Sequence, residues 1–165
     1  METVTYVAGI DPGIVHTGVV HLAFDRRRHM MAVRPLAIAG CKAEDLPTAL
    51  IGNNTHVFIE GYRPRSHYSR DNEMVAAVAQ MHKELQGSAV LNNTGVKTVV
   101  TDELLKLMQV HSFNTVTHHQ DIRSAARIAL LGMMKDPELN ELLADVVADK
   151  LLLSGHSQWD IQVIE

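Results

Sequence analysis

The sequence predicts an α/β fold in which a mixed five-stranded sheet is flanked by helices. Three segments near the N-terminus, 4–10, 17–24 and 30–39, are short, apolar and separated by turn-forming residues, which is typical of consecutive strands. Helix and strand patterns then alternate, as they do when helices cover a sheet. At 165 residues the chain is predicted to form one domain, 1–165, although the tail 156–165 has no clear pattern.

The later elements follow from local signals. The predicted positions are a short helix over 42–51, whose length Pro47 limits, a strand over 55–60, a helix over 71–86, a fifth strand over 97–101, and helices over 101–110 and 118–133. Asp136-Pro137 starts the last helix, because Asp caps a helix and Pro suits its first position. In the tail, Trp159 is predicted to be a packing residue.

The helix 71–86 is apolar on more than one side. One stripe consists of Met74, Ala77, Val78, Met81 and Leu85, and a second group consists of Val75, Ala76 and Ala79. Such a helix packs on two surfaces, so one side is expected to face the sheet. The other side is a candidate dimer interface, and the alternative is an ordinary core helix.

Composition excludes several classes of protein. Hydrophobic residues make up 46% of the chain, yet no apolar run approaches the roughly 20 residues of a membrane span. The N-terminus lacks the pattern of a secretion signal. Cys41 is the single cysteine, which excludes an intramolecular disulfide and a cysteine-based zinc site. A cytoplasmic protein is expected.

Positive charge is concentrated in one place. The net charge is −4, but the segment 61–70 holds three arginines and no acidic residue. Arg26-Arg27-Arg28 forms a second, smaller cluster. Basic clusters of this kind are either solvated loops or contacts to nucleic acid, and the position of 61–70 directly after Glu60 favours the second reading.

Three acidic residues stand at the ends of separate elements. Asp11 ends the first strand and precedes the turn Pro12-Gly13, and Glu60 ends the fourth strand. Asp121 opens a helix, three residues after His118. Hard oxygen ligands on rigid supports are what divalent-metal phosphoryl-transfer sites require, so these four residues are the candidate catalytic and metal-binding set.

These motifs resemble the RuvC family of Holliday-junction resolvases, within the RNase H-like nuclease group. The residues that carry the resemblance are Gly9-Ile-Asp11-Pro-Gly13 with Thr17-Gly18, Phe58-Ile-Glu60, and His118-x-x-Asp121 before an Ala-rich helix, with a weaker match at Val96-Lys-Thr-Val-Val100. They run from residue 4 to about 131 in the family's order. The resemblance implies an RNase H-like fold in which the first and fourth strands are adjacent.

The resemblance also implies a reaction. A metal-dependent endodeoxyribonuclease would hydrolyse a phosphodiester with two Mg²⁺ or Mn²⁺ ions per site. Asp11 would bridge the ions, Glu60 would bind one, and His118 and Asp121 would complete the other. The substrate would be branched DNA, above all four-way junctions, in recombination, repair or phage DNA processing.

Helical geometry favours His118 over its neighbour His119. Residues three apart on a helix differ in direction by about 60°, which puts His118 and Asp121 on one face, whereas His119 points about 160° away from Asp121. His119 is therefore the fallback.

Residues near the candidate site are predicted to bind DNA. Arginines can pair with phosphates and tyrosines can stack on a base at an opened crossover. The predicted DNA-binding residues are Tyr62, Arg63, Arg65, Tyr68, Arg70, Lys97 and Lys106. Because a junction needs two symmetric cuts, a homodimer through the helix 71–86 is expected.

Three alternatives remain open. The same ligands would serve a nuclease for RNA–DNA hybrids, structured RNA or flaps, and a phage-type enzyme would accept a broader set of branched DNAs. A non-catalytic junction-binding protein is the third. A sugar-kinase or actin-like ATPase is disfavoured, because 165 residues are too few for its two domains and no phosphate-binding Gly-rich motif is present.

Overall fold

A computed structural model describes residues 3–47, 51–52, 54–64, 71–114, 116–152 and 158–165. The strands are β1 (Val4–Asp11), β2 (His16–Asp25), β3 (Met30–Ala39), β4 (Thr55–Glu60), β5 (Ala89–Leu91) and β6 (Asp160–Val163). The helices are α1 (Asp71–Glu84), α2 (Val96–Val99), α3 (Asp102–Leu107), α4 (His119–Lys135) and α5 (Pro137–Leu151), with a 3₁₀ turn at Ala43–Asp45. None of the helices in these ranges is long and apolar enough to cross a membrane.

The strands form one mixed sheet in the order β5-β4-β1-β2-β3-β6. β1, β2 and β3 are an antiparallel meander, because short turns join them. β4 then crosses over to pair with β1 in parallel, with Ile10 beside Ile59. The predicted adjacency of the first and fourth strands is therefore confirmed, and it brings the ends of these two strands together.

α4 lies directly on the sheet because glycines remove the side chains that would separate them. A Cβ at Gly9 of β1 would lie 2.0 Å from the carbonyl oxygen of Ala125, and a Cβ at Gly18 of β2 would lie 2.3 Å from that of Asp121. No real side chain tolerates such a contact with backbone. The glycines of β1 and β2 thus determine how closely α4 packs against the sheet.

The opposite face of the sheet is covered by α1. Met74, Val78 and Met81 are buried there, as the helical spacing predicts. The second group, Val75, Ala76 and Ala79, is exposed. The two-sided character of this helix is thus present in the structure, and the dimer interface stays a prediction.

The predicted strand over 97–101 is wrong. Its residues form α2 and the N-cap of α3, and the fifth strand is β5, at Ala89–Leu91. Gly95 has a φ of 71°, which turns the chain into the helical hydrogen bond from Val100 N to Val96 O. Local turn geometry therefore overrides the strand preference of the β-branched residues in this segment.

The tail contributes a strand that the sequence did not indicate, so the sheet has six strands and not five. β6 pairs in parallel with β3. Trp159, directly before it, is buried, and its Nε1 donates to Asp145 of α5 at 3.1 Å. The backbone N–H of Trp159 donates to Asp149 at 2.9 Å. The prediction that Trp159 is a packing residue is confirmed.

The predicted helix ends are largely correct. Asp136 caps α5 by accepting from the backbone N–H groups of Glu138 and Leu139. Thr101 caps α3, accepting from Leu104 N at 3.2 Å. In the described part of the helix predicted over 42–51 there is only the 3₁₀ turn, and residues 48–50 lie outside the described residues.

Candidate active site

Asp11 and Glu60 lie side by side at the carboxyl ends of two parallel strands. Ile10 of β1 is in register with Ile59 of β4, so the residues that follow them are also neighbours. Phe58 packs against α4, and a side chain two residues further along a strand returns to the same face. Glu60 therefore points to the α4 side, where its carboxyl shares a hydrogen bond with Asp11.

Asp121 reaches the same place from the first turn of α4. Asp11 pairs with Gly18 in the β1–β2 ladder. The backbone of Asp121 occupies the space that a side chain at Gly18 would need, with the Asp121 Cβ 3.0 Å from that position. Because α4 packs closely on β2, the carboxylate of Asp121 lies near Asp11 and interacts with it.

Burial and like charge act together on Asp11. Burial, the hydrogen bond with Glu60, and the negative charges of Glu60 and Asp121 raise the pKa of Asp11 from 3.8 to about 9. Asp11 is therefore expected to be protonated at neutral pH. Burial is the largest cause, and the hydrogen bond with Glu60 and the nearby negative charges add to it.

The donor set fits a divalent cation. Carboxylate oxygens are the ligands that Mg²⁺ and Mn²⁺ prefer, and a cation would relieve the repulsion that raises the pKa of Asp11. Within the described part of the chain, however, no set of three or more His, Cys, Asp or Glu side chains already has the arrangement of a metal site. In the structure a hydrogen bond joins the side chains of Asp11 and Glu60.

The turn after Asp11 is held by Thr17. This side chain is fully buried, accepts from Gly13 N at 3.2 Å and donates to Gly40 O at 2.5 Å. The hydroxyl thus ties the loop after β1 to the end of β3. Asp11 is therefore followed by a fixed loop that forms one wall of a cleft.

The three acidic residues line a cleft with a volume of about 800 Å³. Its lining residues are Asp11, Pro12, Gly13, Ile14, Val15, His16, Glu60, Gly61, Tyr62, Arg63, Pro64, Met74, Asn93, Asp121 and Ser124. A smaller cavity of about 260 Å³ shares Glu60, Asn93 and Ser124 with it and is further lined by Gly95, Val96, Lys97, Thr98 and Arg127. The two cavities therefore adjoin at these three shared residues.

Among the lining residues that were not predicted from the sequence are Asn93, Ser124 and His16. Asn93 Nδ2 donates to Glu60 Oε1 at 2.7 Å. Ser124 lies one turn after Asp121 on α4 and lines both cavities. His16 lies at the start of β2. The sequence signal for Asn93 was the polar run Asn92-Asn93-Thr94, which follows a strand too short to be predicted.

No protein-family model and no curated protein matches the sequence. Similar solved structures include the fowlpox virus resolvase with its substrate Holliday junction DNA, which is 13% identical with a TM-score of 0.50 and covers 84% of this chain and 99% of that chain. T. thermophilus RuvC is also similar. One structure of this RuvC is 16% identical to the chain, with a TM-score of 0.46. Its complex with a Holliday junction substrate is 14% identical, with a TM-score of 0.47. Both of these matches cover 86% of this chain and 95% of that chain.

The first and fourth strands, β1 and β4, are adjacent in the sheet, as the resemblance implied, and they run parallel. The likeness to the fowlpox virus resolvase extends over nearly all of that protein. This protein has an RNase H-like fold. At this level of identity the likeness shows the fold alone, and the roles of individual residues depend on the geometry of this chain.

Within this RNase H-like fold, the two candidate histidines have different surroundings. α4 begins at His119, and His118 precedes it with a φ of 59°, so the helical angle used to place His118 does not apply. The His118 ring stacks on His16, with centroids 3.9 Å apart, and His16 lines the cleft. His119 Nε2 lies 2.7 Å from Val116 O, and its ring meets the edge of Phe113. His119 therefore supports the preceding loop.

Among the predicted DNA-binding residues, three line the cleft or the smaller cavity: Tyr62, Arg63 and Lys97. Tyr62 and exposed Arg63 line the cleft, and the Tyr62 hydroxyl donates to Asp71 at 2.6 Å. Lys97 lines the smaller cavity, and Lys106 lies exposed in the last turn of α3. Arg65, Tyr68 and Arg70 lie outside the described residues.

The raised pKa of Asp11 predicts a pH dependence of stability. The folded protein holds a proton that the unfolded chain releases above pH 4, so in EDTA the free energy of unfolding should fall as pH rises toward 9. A tenfold difference in proton affinity between the folded and unfolded chains corresponds to about 1.4 kcal/mol, so at pH 8 we expect Asp11→Asn to exceed the wild type in stability by at least about 1 kcal/mol. Chemical denaturation at pH 5 and pH 8 measures this difference, and equal pH slopes for the two proteins would contradict it.

Proposed function

We propose that this protein is a metal-dependent endonuclease that cleaves four-way DNA junctions and related branched DNA. The observation that carries the proposal is that Asp11, Glu60 and Asp121 line one cleft, where the first two are joined by a hydrogen bond. The RNase H-like fold supports it, and the fowlpox virus resolvase of this fold was solved with Holliday junction DNA.

The acidic residues have distinct roles in this proposal. Asp11, Glu60, Asp121 and His118 would hold two Mg²⁺ or Mn²⁺ ions, which when bound polarise the phosphate and activate a water molecule. Asp11 interacts with both of the other carboxyls, so it would be the central ligand of this set. It would have to release its proton to bind a cation, so metal binding at Asp11 would depend on pH. Glu60 shares a hydrogen bond with Asp11 in the unloaded site and turns its oxygens toward the cleft.

Residues around the acidic group would bind and orient the DNA. Arg63 is exposed at the cleft and can pair with a phosphate. Lys97 would contact a phosphate from the smaller cavity. Tyr62 has a ring in the cleft wall and a hydroxyl held by Asp71, so it would present a rigid face to a base.

A two-fold dimer would supply the two cuts that resolution of a junction needs. The candidate interface is the exposed side of α1, where Val75, Ala76 and Ala79 are small enough for a close approach of two helices. The proposed cellular role is DNA recombination, repair or phage DNA processing. The protein would act in the cytoplasm of a bacterial cell or of a phage-infected host.

The contact of Arg63 with DNA can be tested through salt dependence. Removing one phosphate contact should lower the slope of log affinity against log salt concentration by about one and weaken binding equally for different junction sequences. Arg63→Ala should show both effects in a fluorescence-anisotropy titration with a labelled junction. Lys135→Ala removes a charge at the far end of α4 and serves as the control. An unchanged slope for Arg63→Ala would rule out this contact.

The proposed function is tested by a substrate panel. Purified protein is incubated with a labelled four-way junction, a linear duplex, a flap and an RNA–DNA hybrid, each with Mg²⁺, Mn²⁺ or EDTA. We expect metal-dependent cuts in the junction. Cuts spread over several branched substrates would indicate a debranching nuclease, and cleavage of the hybrid alone would indicate a ribonuclease H activity. Tight junction binding without cleavage of any substrate would identify a binding protein and overturn the proposal.

A further inference from the structure

Glu60 receives a hydrogen bond from a residue outside the acidic group. Asn93 Nδ2 donates to Glu60 Oε1 at 2.7 Å. Asn93 is half-buried and lies on the wall that the cleft and the smaller cavity share. Glu60 is thus held from two sides, by the Asp11 carboxyl and by the Asn93 amide.

The backbone fixes Asn93 in this position. Leu91, at the end of β5, pairs with Glu60 across the sheet, so the chain leaves the strand directly beside this carboxylate. Asn92 Oδ1 then accepts from the backbone N–H and the hydroxyl of Thr94, at 2.9 Å and 2.7 Å. Val96 N donates to Asn93 O at 3.1 Å. The amide of Asn93 is therefore presented by a closed turn and not by a free loop.

The chemistry of the amide suits this position. A carboxylate only accepts hydrogen bonds, so the nitrogen of the amide faces Glu60 and its oxygen is left for water or substrate. Glutamate has three rotatable side-chain bonds, and without an anchor it would occupy several rotamers. A charge-assisted hydrogen bond selects one of them and adds no negative charge to a site that already contains three carboxyl groups.

We propose that Asn93 is a positioning residue that sets the orientation of the Glu60 carboxylate for binding a divalent cation. This inference rests on the proposed nuclease function and adds a specific role for a residue of the β5–α2 turn. Partners that orient metal-binding carboxylates commonly contribute about 10–100-fold to metal affinity or activity. The effect should therefore appear in the metal dependence and in kcat, and not in the binding of DNA.

Two variants and two readouts test the role of Asn93. Asn93→Ala removes the donor and Asn93→Gln retains an amide, while Asn140→Ala removes an exposed amide on α5 as the control. The first readout is kcat and KM for a junction. The second is the Mn²⁺ concentration that gives half of the maximal rise in melting temperature of the DNA-free protein, which requires no activity.

For Asn93→Ala we expect kcat to fall by about 10–100-fold with KM unchanged, and the Mn²⁺ midpoint to rise by a similar factor. Asn93→Gln should recover part of both, and Asn140→Ala should match the wild type. A lower melting temperature of Asn93→Ala with an unchanged Mn²⁺ midpoint would show a purely structural role and overturn the inference. If the wild type cleaves nothing, the proposed function fails, and the Mn²⁺ midpoints alone still decide the role of Asn93.

Discussion

Replacement of Asp11 by Asn should abolish DNA cleavage, preserve junction binding and make the protein more stable. Asp11 is the carboxyl that interacts with both Glu60 and Asp121, so its loss removes the ligand that any cation pair would share. A loss of at least about 10³-fold in the cleavage rate is expected, because the chemistry depends on charge stabilisation at this point. Asn has nearly the same shape as Asp, so the cleft and its phosphate contacts should be retained.

The gain in stability has the same origin as the loss of activity. Burial above all, together with the carboxyls around it, raises the pKa of Asp11 to about 9, and an amide at this position needs no proton. Single-turnover cleavage, anisotropy binding and thermal melting of the same sample test all three effects. Asp160→Asn, an exposed change on the edge strand β6, is the matched control. Retained cleavage by Asp11→Asn would remove Asp11 from the mechanism.

Replacement of Gly9 by Ala should destabilise the protein more than a typical point mutation. The new Cβ would lie 2.0 Å from the carbonyl oxygen of Ala125 and 2.8 Å from the Cβ of Ala129. Since the first of these atoms is backbone in the middle of α4, the whole helix must move. Overpacking of this kind costs about 3 kcal/mol or more when the surroundings cannot yield.

Urea denaturation of Gly9→Ala measures this cost. Gly87→Ala is the control, because no atom lies within 4 Å of the added Cβ and only the positive φ of 78° opposes the change. That strain costs about 1–2 kcal/mol. A free energy of unfolding for Gly9→Ala within about 1 kcal/mol of the wild type would show that α4 does not rest on β1 as described.

The acidic group could be predicted from the sequence because each member stands at a recognisable boundary. Asp11 and Glu60 end apolar strands, and Asp121 opens a helix with a strong apolar stripe. The sequence does not reveal the tertiary packing that brings these three acidic residues together. Only the structure shows that Gly18, paired with Asp11, is the point where the first turn of α4 meets the sheet.

The missed features share a different cause, which is that long-range contacts decide them. β5 has three residues and β6 has four, too few for a pattern of alternation. Their pairing with β4 and β3 stabilises them as strands. Asn93 was missed for the same reason, since its partner Glu60 is 33 residues distant in sequence. The wrongly predicted strand over 97–101 is the exception, because the local turn at Gly95 makes Val96–Val99 helical.

The contact between α4 and the sheet both stabilises the fold and strains the acidic group. Gly9 and Gly18 allow α4 to approach the sheet, which stabilises the fold, but the same approach brings Asp121 to a pair of carboxyls that already repel each other. The clustered carboxyls destabilise the metal-free protein, and they are expected to bind cations. The divalent cation should therefore raise the melting temperature of the wild type and have little effect on Asp11→Asn.

Cleavage of a supercoiled plasmid that extrudes a cruciform tests the central claim most directly. Paired cuts across the four-way junction convert the plasmid to the linear form, whereas single nicks release only open circles. With Mg²⁺ or Mn²⁺ the wild type should produce linear plasmid cut at the cruciform, and Asp11→Asn should bind the plasmid without cutting it. An intact plasmid in the presence of wild-type protein and metal, or equal cleavage by Asp11→Asn, would contradict the assignment of the acidic group as a junction-cleaving site.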